Sequence, residues 1–349
     1  MPLAIITGSS GLVGSESVNF FCDKGFDVIG IDNDLRKFFF GKDASTKWLN
    51  KILINRNKRF QNFNIDIRDY SKLEKIFKKN KKKIKLIIHC AAQPSHDYGK
   101  NFPKIDFAVN ASGTLNLLEL TRKYSPTSPF IFMSTNKVYG DNPNKLKLND
   151  RKTRYEITRK SKFFKGIKED FSIDNCTHSF FGVSKTYADL MVQEYGKNNG
   201  LKTVCFRAGC ITGPKHSGAE LHGFLSYLVK KSLKEKYYNI IGYNGKQVRD
   251  NIHSADLVRC FWEFYKKPKR GEIYNIGGGR YSNCSVIEAL NYLEKKTGIK
   301  IKKNYINKNR VGDHIWYITN NSKFKNDYPK WKQRYNIKKI IDELIESVF

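Results

Sequence analysis

The residues of this chain best suited to chemistry stand near its start. Gly8-Ser9-Ser10-Gly11-Leu12-Val13-Gly14 follows the apolar run Leu3 to Thr7 and leads into a segment with helical spacing. Three glycines at such a junction permit a tight turn and close backbone approach, while free N–H groups and the helix dipole receive a pyrophosphate. Asp32 ends the second apolar run, eighteen residues after Gly14. An acid there accepts hydrogen bonds from both ribose hydroxyls of an adenosine and repels a 2′-phosphate, which favours NAD over NADP. Farther on, Phe181-Gly182-Val183-Ser184-Lys185 sets a lysine one helical turn beyond an aromatic ring. Arg249 and Arg310 offer planar forks that bind phosphate oxygens bidentately.

These residues need elements to hold them. Short apolar runs predict strands over Leu3 to Thr7, Phe26 to Asp32, Phe60 to Ile65, Ile84 to Cys90, Phe130 to Ser134 and Lys202 to Arg207. Between them, Leu12 to Lys24, Tyr70 to Lys79, Asn110 to Lys123 and Ser184 to Lys197 carry apolar residues at helical spacing. The alternation is that of an α/β fold, a doubly wound parallel sheet covered by helices on both faces. After Arg207 the pattern becomes irregular, with a helix expected near Leu221 to Glu235 and short strands near Tyr238 to Ile241 and Ile273 to Ile276. Residues 1–208 are therefore expected to form the dinucleotide-binding domain and 209–349 a smaller α/β substrate lobe. Asp141 to Thr177 is polar, lysine-rich and long for a connection, as lids and binding loops are.

Composition sets several function classes aside. The 349 residues carry a formal net charge of +31, which would attract any polyanion, yet 49 of the basic residues are Lys and only 15 are Arg. Nucleic-acid sites favour Arg at defined places with aromatic stacking partners, so the lysines read as a solvated surface and no nucleic-acid partner is expected. The seven cysteines form no CxxC pair, which points to reduced thiols and no metal site. No apolar run reaches the ~18 to 20 residues that span a bilayer. Met1 to Gly8 leaves no room for a leader segment, so a cytoplasmic protein without a membrane partner is expected.

Several strings carry a family likeness. The glycine loop, Asp66 after the third strand, His89-Cys90-Ala91-Ala92 after the fourth, Asn110 opening a helix, and Ser134-Thr135 before Val138-Tyr139-Gly140 together resemble the extended short-chain dehydrogenase/reductases, in the NAD-dependent epimerase/dehydratase branch. The resemblance covers nearly the whole chain and implies a Rossmann domain. It implies that Gly8, Gly11, Leu12, Val13, Gly14, Asp32 and Asn33 contact NAD, with Asp66 and Ile67 on its adenine. Ala91, Ala92 and Asn110 would flank the cofactor, and Lys185 would bridge the nicotinamide ribose. It also implies that Arg310-Val311-Gly312-Asp313 seizes the substrate nucleotide, Arg on phosphate and Asp on ribose, with Arg249 as a second phosphate ligand. Residues 218–224 would pack the base, and a homo-oligomer, dimer or tetramer, would form through the helices beginning near Asn110 and Ser184.

By the same likeness Thr135, Lys185 and a tyrosine at position 181 would handle a sugar hydroxyl, but position 181 is Phe. A phenyl ring exchanges no proton, and positioned acid/base catalysis contributes typically about 10² to 10⁴ in rate. Lys185 itself, Lys137, His96 or a water held by Thr135 are the candidate replacements, Lys185 and the water being preferred. Dehydratases of this fold carry an acid pair after the Thr, whereas this chain has Asn136 and Lys137, so dehydration is disfavoured. Three strings, Ala92-Gln93-Pro94-Ser95-His96-Asp97, the segment 134–140 and Gly245-Lys246-Gln247-Val248-Arg249-Asp250, resemble the enzymes that invert C2 of a CDP-hexose. The likeness therefore implies conversion of CDP-paratose to CDP-tyvelose by transient oxidation to a ketone, with His96, Asn136 and Lys137 on the substrate. The alternatives are another nucleotide-sugar epimerase, such as a C4 epimerase of a UDP-sugar, or a catalytically weakened binder of NAD and a nucleotide sugar.

Overall fold

Strand β1 (Leu3–Thr7) is buried at every position because it lies inside a sheet with apolar cover on both faces. The computed structural model describes residues 1–215, 223–309 and 312–348. The other strands of that sheet are β2 (Asp27–Ile31), β3 (Phe60–Phe63), β4 (Ile84–His89), β5 (Phe130–Thr135), β6 (Thr203–Ala208) and β7 (Glu272–Ile276), in the order β7-β6-β5-β4-β1-β2-β3. Pairing is parallel from β3 through β2, β1 and β4 to β5, and the register sets Thr7 beside Ile31 and His89, Ile31 beside Phe63, and His89 beside Phe132. The C-terminal ends of five strands thus form one edge. The strand order reverses between β1 and β4, and ligands of open α/β sheets bind outside the strand ends at such a reversal.

Helices α1 (Leu12–Asp23), α2 (Tyr70–Asn80), α3 (Gly113–Tyr124) and α4 (Phe180–Lys197) cover this sheet. In α2 the reason is legible residue by residue: Leu73, Ile76 and Phe77 are buried at helical spacing, the lysines take the opposite face, and the Asp69 carboxylate caps the Lys72 N–H at 3.0 Å. Ile5, Ile87, Leu117, Phe130, Phe132 and Val192 belong to the common core. The helix expected from Asn110 begins differently. A single π turn over Ala108–Ser112 runs into α3 and buries Asn110; such turns are frequent at functional sites.

The chain divides into two compact units, and both are discontinuous in sequence. The first holds residues 1–138, 180–207 and 257–274, and the second holds 139–179, 208–256 and 275–349. The expected boundary after residue 208 differs from this division because the chain returns. The strand expected within the smaller lobe near Ile273 is β7, which joins the main sheet beside β6. The helix Ser254–Lys266 ahead of it sets Trp262 edge-on against Phe20 and Phe21 of α1.

In the second unit the strand Val248–His253 pairs antiparallel with Asn283–Ser285 and parallel with Cys210–Thr212 and Trp316–Tyr317. Helices Phe224–Glu235, Val286–Thr297 and Ile337–Glu346 share a separate core that includes Leu228, Val229, Leu290, Leu293, Ile340 and Leu344. The long polar stretch 141–177 belongs to this unit and holds a minimal hairpin, Asn149–Asp150 with Tyr155–Glu156. Among the described residues no helix is long and apolar enough to cross a membrane.

One buried charge fastens α4 to the sheet. Asp189 accepts from Arg207 Nη2 at 2.8 Å and Nε at 3.1 Å, from Ser134 Oγ at 2.5 Å and from Gln193 Nε2 at 2.8 Å, and both charged side chains are almost fully enclosed. Removing one partner of such a pair strands the other charge in a low dielectric. Arg207→Met is expected to lower unfolding stability by about 3–5 kcal/mol, read as a shifted denaturant midpoint.

Candidate active site

The glycine loop is built as a cradle. Gly8 has φ +66°, and a Cβ on it would lie 2.7 Å from the Ala91 nitrogen, while a Cβ on Gly14 would lie 2.0 Å from the Gly8 carbonyl oxygen. Both positions need a residue without a side chain. Gly11 caps α1 with extended backbone and no side-chain cap, so the first N–H groups of a twelve-residue helix, those of Leu12, Val13 and Gly14, carry the positive end of its dipole. Asp32 is oriented by the Ser10 and Asp34 N–H groups, one on each carboxylate oxygen at 2.9 Å, and each oxygen keeps a lone pair for a ribose hydroxyl. Burial raises the Asp32 pKa, and the same two hydrogen bonds oppose the rise. These residues fit a dinucleotide: backbone close approach for the pyrophosphate, a helix end for its charge, and an acid for its ribose.

The neighbouring strand ends are locked together by His89. Thr114 Oγ1 donates to the Asn110 carbonyl at 2.6 Å, so it accepts from His89 Nε2 at 2.9 Å, and Nδ1 then accepts from Thr7 Oγ1 at 2.7 Å. The imidazole is the neutral Nε2–H tautomer, consistent with a pKa driven well below its usual value by burial and then by the Lys185 charge. Thr7 Oγ1 in turn accepts the Ala91 N–H at 3.2 Å, which positions the Ala91-Ala92 turn above the glycines. Asn33 donates to Asp66 at 3.1 Å, and Arg68 grips both oxygens of Asp66 at 2.9 and 2.7 Å. Burial alone would raise the Asp66 pKa, but Arg68 outweighs it and holds the carboxyl low. Ile67 is buried against Gly113, where a Cβ would lie 2.6 Å from its side chain.

Thr135 ends β5, and its hydroxyl oxygen accepts the Lys137 N–H at 3.2 Å, which leaves its O–H available as a donor. Asn136 is buried and Lys137 half-buried in the turn that follows. Lys185 turns inward: its ammonium donates to the Met133 carbonyl at 2.7 Å and lies 4.0 Å from the centre of the Phe132 ring. Its pKa is pulled down to about 8, chiefly by burial, with Asp189 opposing. Phe181 is 7% exposed, and its ring meets that of His96 edge-on at 5.1 Å.

Three polar residues outside the expected site, Gln93, Asp106 and Ser184, join Asn110 in holding this arrangement. The Asn110 amide donates to the Gln93 carbonyl at 3.0 Å and accepts from the Gln93 N–H at 2.9 Å. Gln93 also donates to Asp106 at 2.5 Å, and Ser184 donates to the other oxygen of Asp106 at 2.5 Å and contacts Asn110 at 3.1 Å. Burial raises the Asp106 pKa against these hydrogen bonds. Only the spacing of Asp106 and Asn110, four apart on a helix, hints at this cluster in the sequence.

In the second unit Arg249 donates to Asp313 at 2.5 Å and to the Val248 carbonyl at 2.9 Å. The two residues assigned to substrate phosphate and ribose are thus ion-paired to one another. Arg310, Val311 and residues 218–222 of the expected base-packing segment lie outside the described residues. No group of three His, Cys, Asp or Glu side chains among the described residues is placed to hold a metal ion.

Residues 4–277 match the NAD dependent epimerase/dehydratase family. The chain belongs to that family. It is 32% identical over 305 residues to the CDP-paratose 2-epimerase of Salmonella typhi, with 85% of each chain covered. It is 27% identical over 311 residues to the UDP-glucose 4-epimerase of Homo sapiens, covering 85% of this chain and 82% of that one. The fold is shared with the UDP-glucose 4-epimerase of Thermus thermophilus solved with NAD, at a TM-score of 0.78 and 22% identity over 99% of this chain and 98% of that one. As an NAD-dependent member of the epimerase/dehydratase family, the chain has in the glycine cradle the group of residues that fits its cofactor. Gly14→Ala must displace the Gly8 carbonyl. It is expected to lower the NAD retained per purified chain about tenfold, the equivalent of one charge-assisted hydrogen bond, read from nucleotide released on acid denaturation.

Proposed function

We propose that this family member inverts C2 of a CDP-hexose, taking CDP-paratose to CDP-tyvelose through a transient ketone. The observation that carries the reading is the 32% identity to a CDP-paratose 2-epimerase, over 85% of both chains. Asn136 and Lys137 support it from the chemical side: neither supplies the acid that elimination of water requires, which leaves epimerisation. When bound, NAD would supply the hydride acceptor and donor that inversion at the sugar carbon requires. Asp32 would hold the adenosine ribose, with Asn33, Asp66 and Ile67 at the adenine and Ala91, Ala92 and Asn110 along the cofactor. Thr135 would donate its free O–H to the reacting sugar oxygen, and the Lys185 ammonium would lend positive charge beside it. Arg249, Arg310 and Asp313 would serve the nucleotide, the Arg249–Asp313 pair opening toward phosphate and ribose.

A self-associating protein fits the surface of α4. Phe180, Val183 and Leu190 are 53%, 50% and 44% exposed, and Phe107 beside them is 45% exposed. This apolar strip would bury itself against a second copy. All seven cysteines are free thiols, which suits a reducing cytoplasm. The product would feed cell-surface polysaccharide synthesis. Sedimentation of Val183→Glu is expected to show a halved mass relative to the parent protein.

Phe181 favours one second reading, a weakened relative that binds NAD and a nucleotide sugar without turnover. A proton NMR time course with CDP-paratose and no added NAD separates the two. The C2 epimer is expected to accumulate, and Lys185→Met, checked for NAD content, is expected to slow it at least about tenfold. Conversion of a UDP-, GDP- or dTDP-sugar instead would reassign the substrate, and silence on all four classes would favour the binder.

A further inference from the structure

The epimerase reading leaves a proton without a carrier, since Phe181 has no hydroxyl and the Lys185 ammonium is turned onto the Met133 carbonyl and the Phe132 ring. We propose that His96 is the catalytic acid/base of this protein, the imidazole doing from beside the Phe181 ring what a phenol at position 181 would do from within it. This assignment rests on the epimerase reading.

Two independent features place His96 there. The first is the edge-on ring contact, with centres 5.1 Å apart and planes at 72°. With ring centres this close, the imidazole stands beside the space that a hydroxyl on that ring would share, and one water can bridge the remaining distance for proton transfer. The second is a shared buried scaffold. Ser95 caps the short helix that His96 opens, accepting the Tyr98 N–H at 3.1 Å, and its own N–H donates to Gln93 Oε1 at 2.5 Å. Gln93 is fastened to Asp106 and Asp106 to Ser184, next to Lys185 on α4. The backbone carrying His96 and the helix carrying Phe181 are therefore fixed through one carboxylate. His96 also follows β4, whose C-terminal end lies on the sheet edge that carries Gly8, Asp32 and Thr135.

The step balances within one cycle. The neutral imidazole takes the sugar hydroxyl proton as the C–O bond becomes a carbonyl and the carbon gives its hydride to the nicotinamide. The imidazolium returns that proton to the oxygen when the hydride comes back to the other face of the carbon. Nothing is oxidised overall, and imidazole is the side chain suited to give and take a proton near neutral pH.

The test uses full-length wild-type, His96→Asn, Phe181→Tyr and the double variant, with whichever of the four nucleotide-sugar classes the wild type turns over. His96→Asn is expected to lose about 10²- to 10⁴-fold in kcat. Its NAD content, and its affinity for the same sugar by calorimetry, are expected to match those of the wild type. The double variant is expected to regain most of the lost rate, because a tyrosine hydroxyl then carries the proton. A His96→Asn rate within about threefold of wild type would overturn the assignment and leave the epimerase reading standing. So would a loss accompanied by released NAD and not restored by Phe181→Tyr, which would mark a packing role. Wild-type protein that binds the sugars by calorimetry but turns none over would overturn both.

Discussion

A buried carboxylate holds helix α4 of this protein in register with the strand ends of the main sheet. Asp189 lies inside the sheet–helix interface, where an unpaired charge would be untenable, and it is satisfied by Arg207 from β6, Ser134 from β5 and Gln193 from its own helix. Those bonds join the helix that carries Phe181 and Lys185 to the strand that ends in Thr135. The position of one fixes the position of the other. Hydrophobic contact alone would allow α4 to slide along the sheet, because apolar packing is not directional. The charge removes that freedom, and the Gln93–Asp106–Ser184 cluster does the same for the first turn of the helix.

Features set by local physics were readable in the sequence. The glycine loop, its acid at Asp32 and the first six strands follow from steric needs and apolar runs, and the structure places each within one or two residues. The doubly wound sheet and the preference for NAD were readable for the same reason, whereas family membership was readable only through the resemblance of several motif strings. What was not readable depends on pairings between distant segments. Nothing local says that Glu272–Ile276 returns to the main sheet, or that 139–179 leaves the first unit, since a strand's run of apolar residues does not name its neighbour. Arg249 and Asp313 look in the sequence like two separate ligands, yet these opposite charges, sixty-four residues apart, meet in an ion pair. Asp106 is not legible in the sequence because a buried acid looks like a surface acid until its donors are known.

Phe181 illustrates how an aromatic ring can meet the demands of packing without a hydroxyl. The ring is buried and takes its place in the first turn of α4, so the fold makes no demand for a hydroxyl there. Lys185 follows the same logic in reverse. Its stem and charge are enclosed by the carbonyl of Met133 and the face of Phe132, which steadies an ammonium that burial would otherwise neutralise. Packing at this helix end is thus met by Phe181 and Lys185 without a phenol hydroxyl.

The interleaving of the two units has a consequence for how the chain comes off the ribosome. The first unit cannot be completed until Tyr274 has emerged, and the second waits for residues near the C-terminus, because each is assembled from three separated stretches. Most of the sheet must therefore stand with an open edge at β6 while some sixty further residues are synthesised. A nascent chain in that state exposes unpaired backbone to its neighbours. The dense lysine coat of the half-built protein, by mutual repulsion, would help keep such intermediates apart until β7 arrives.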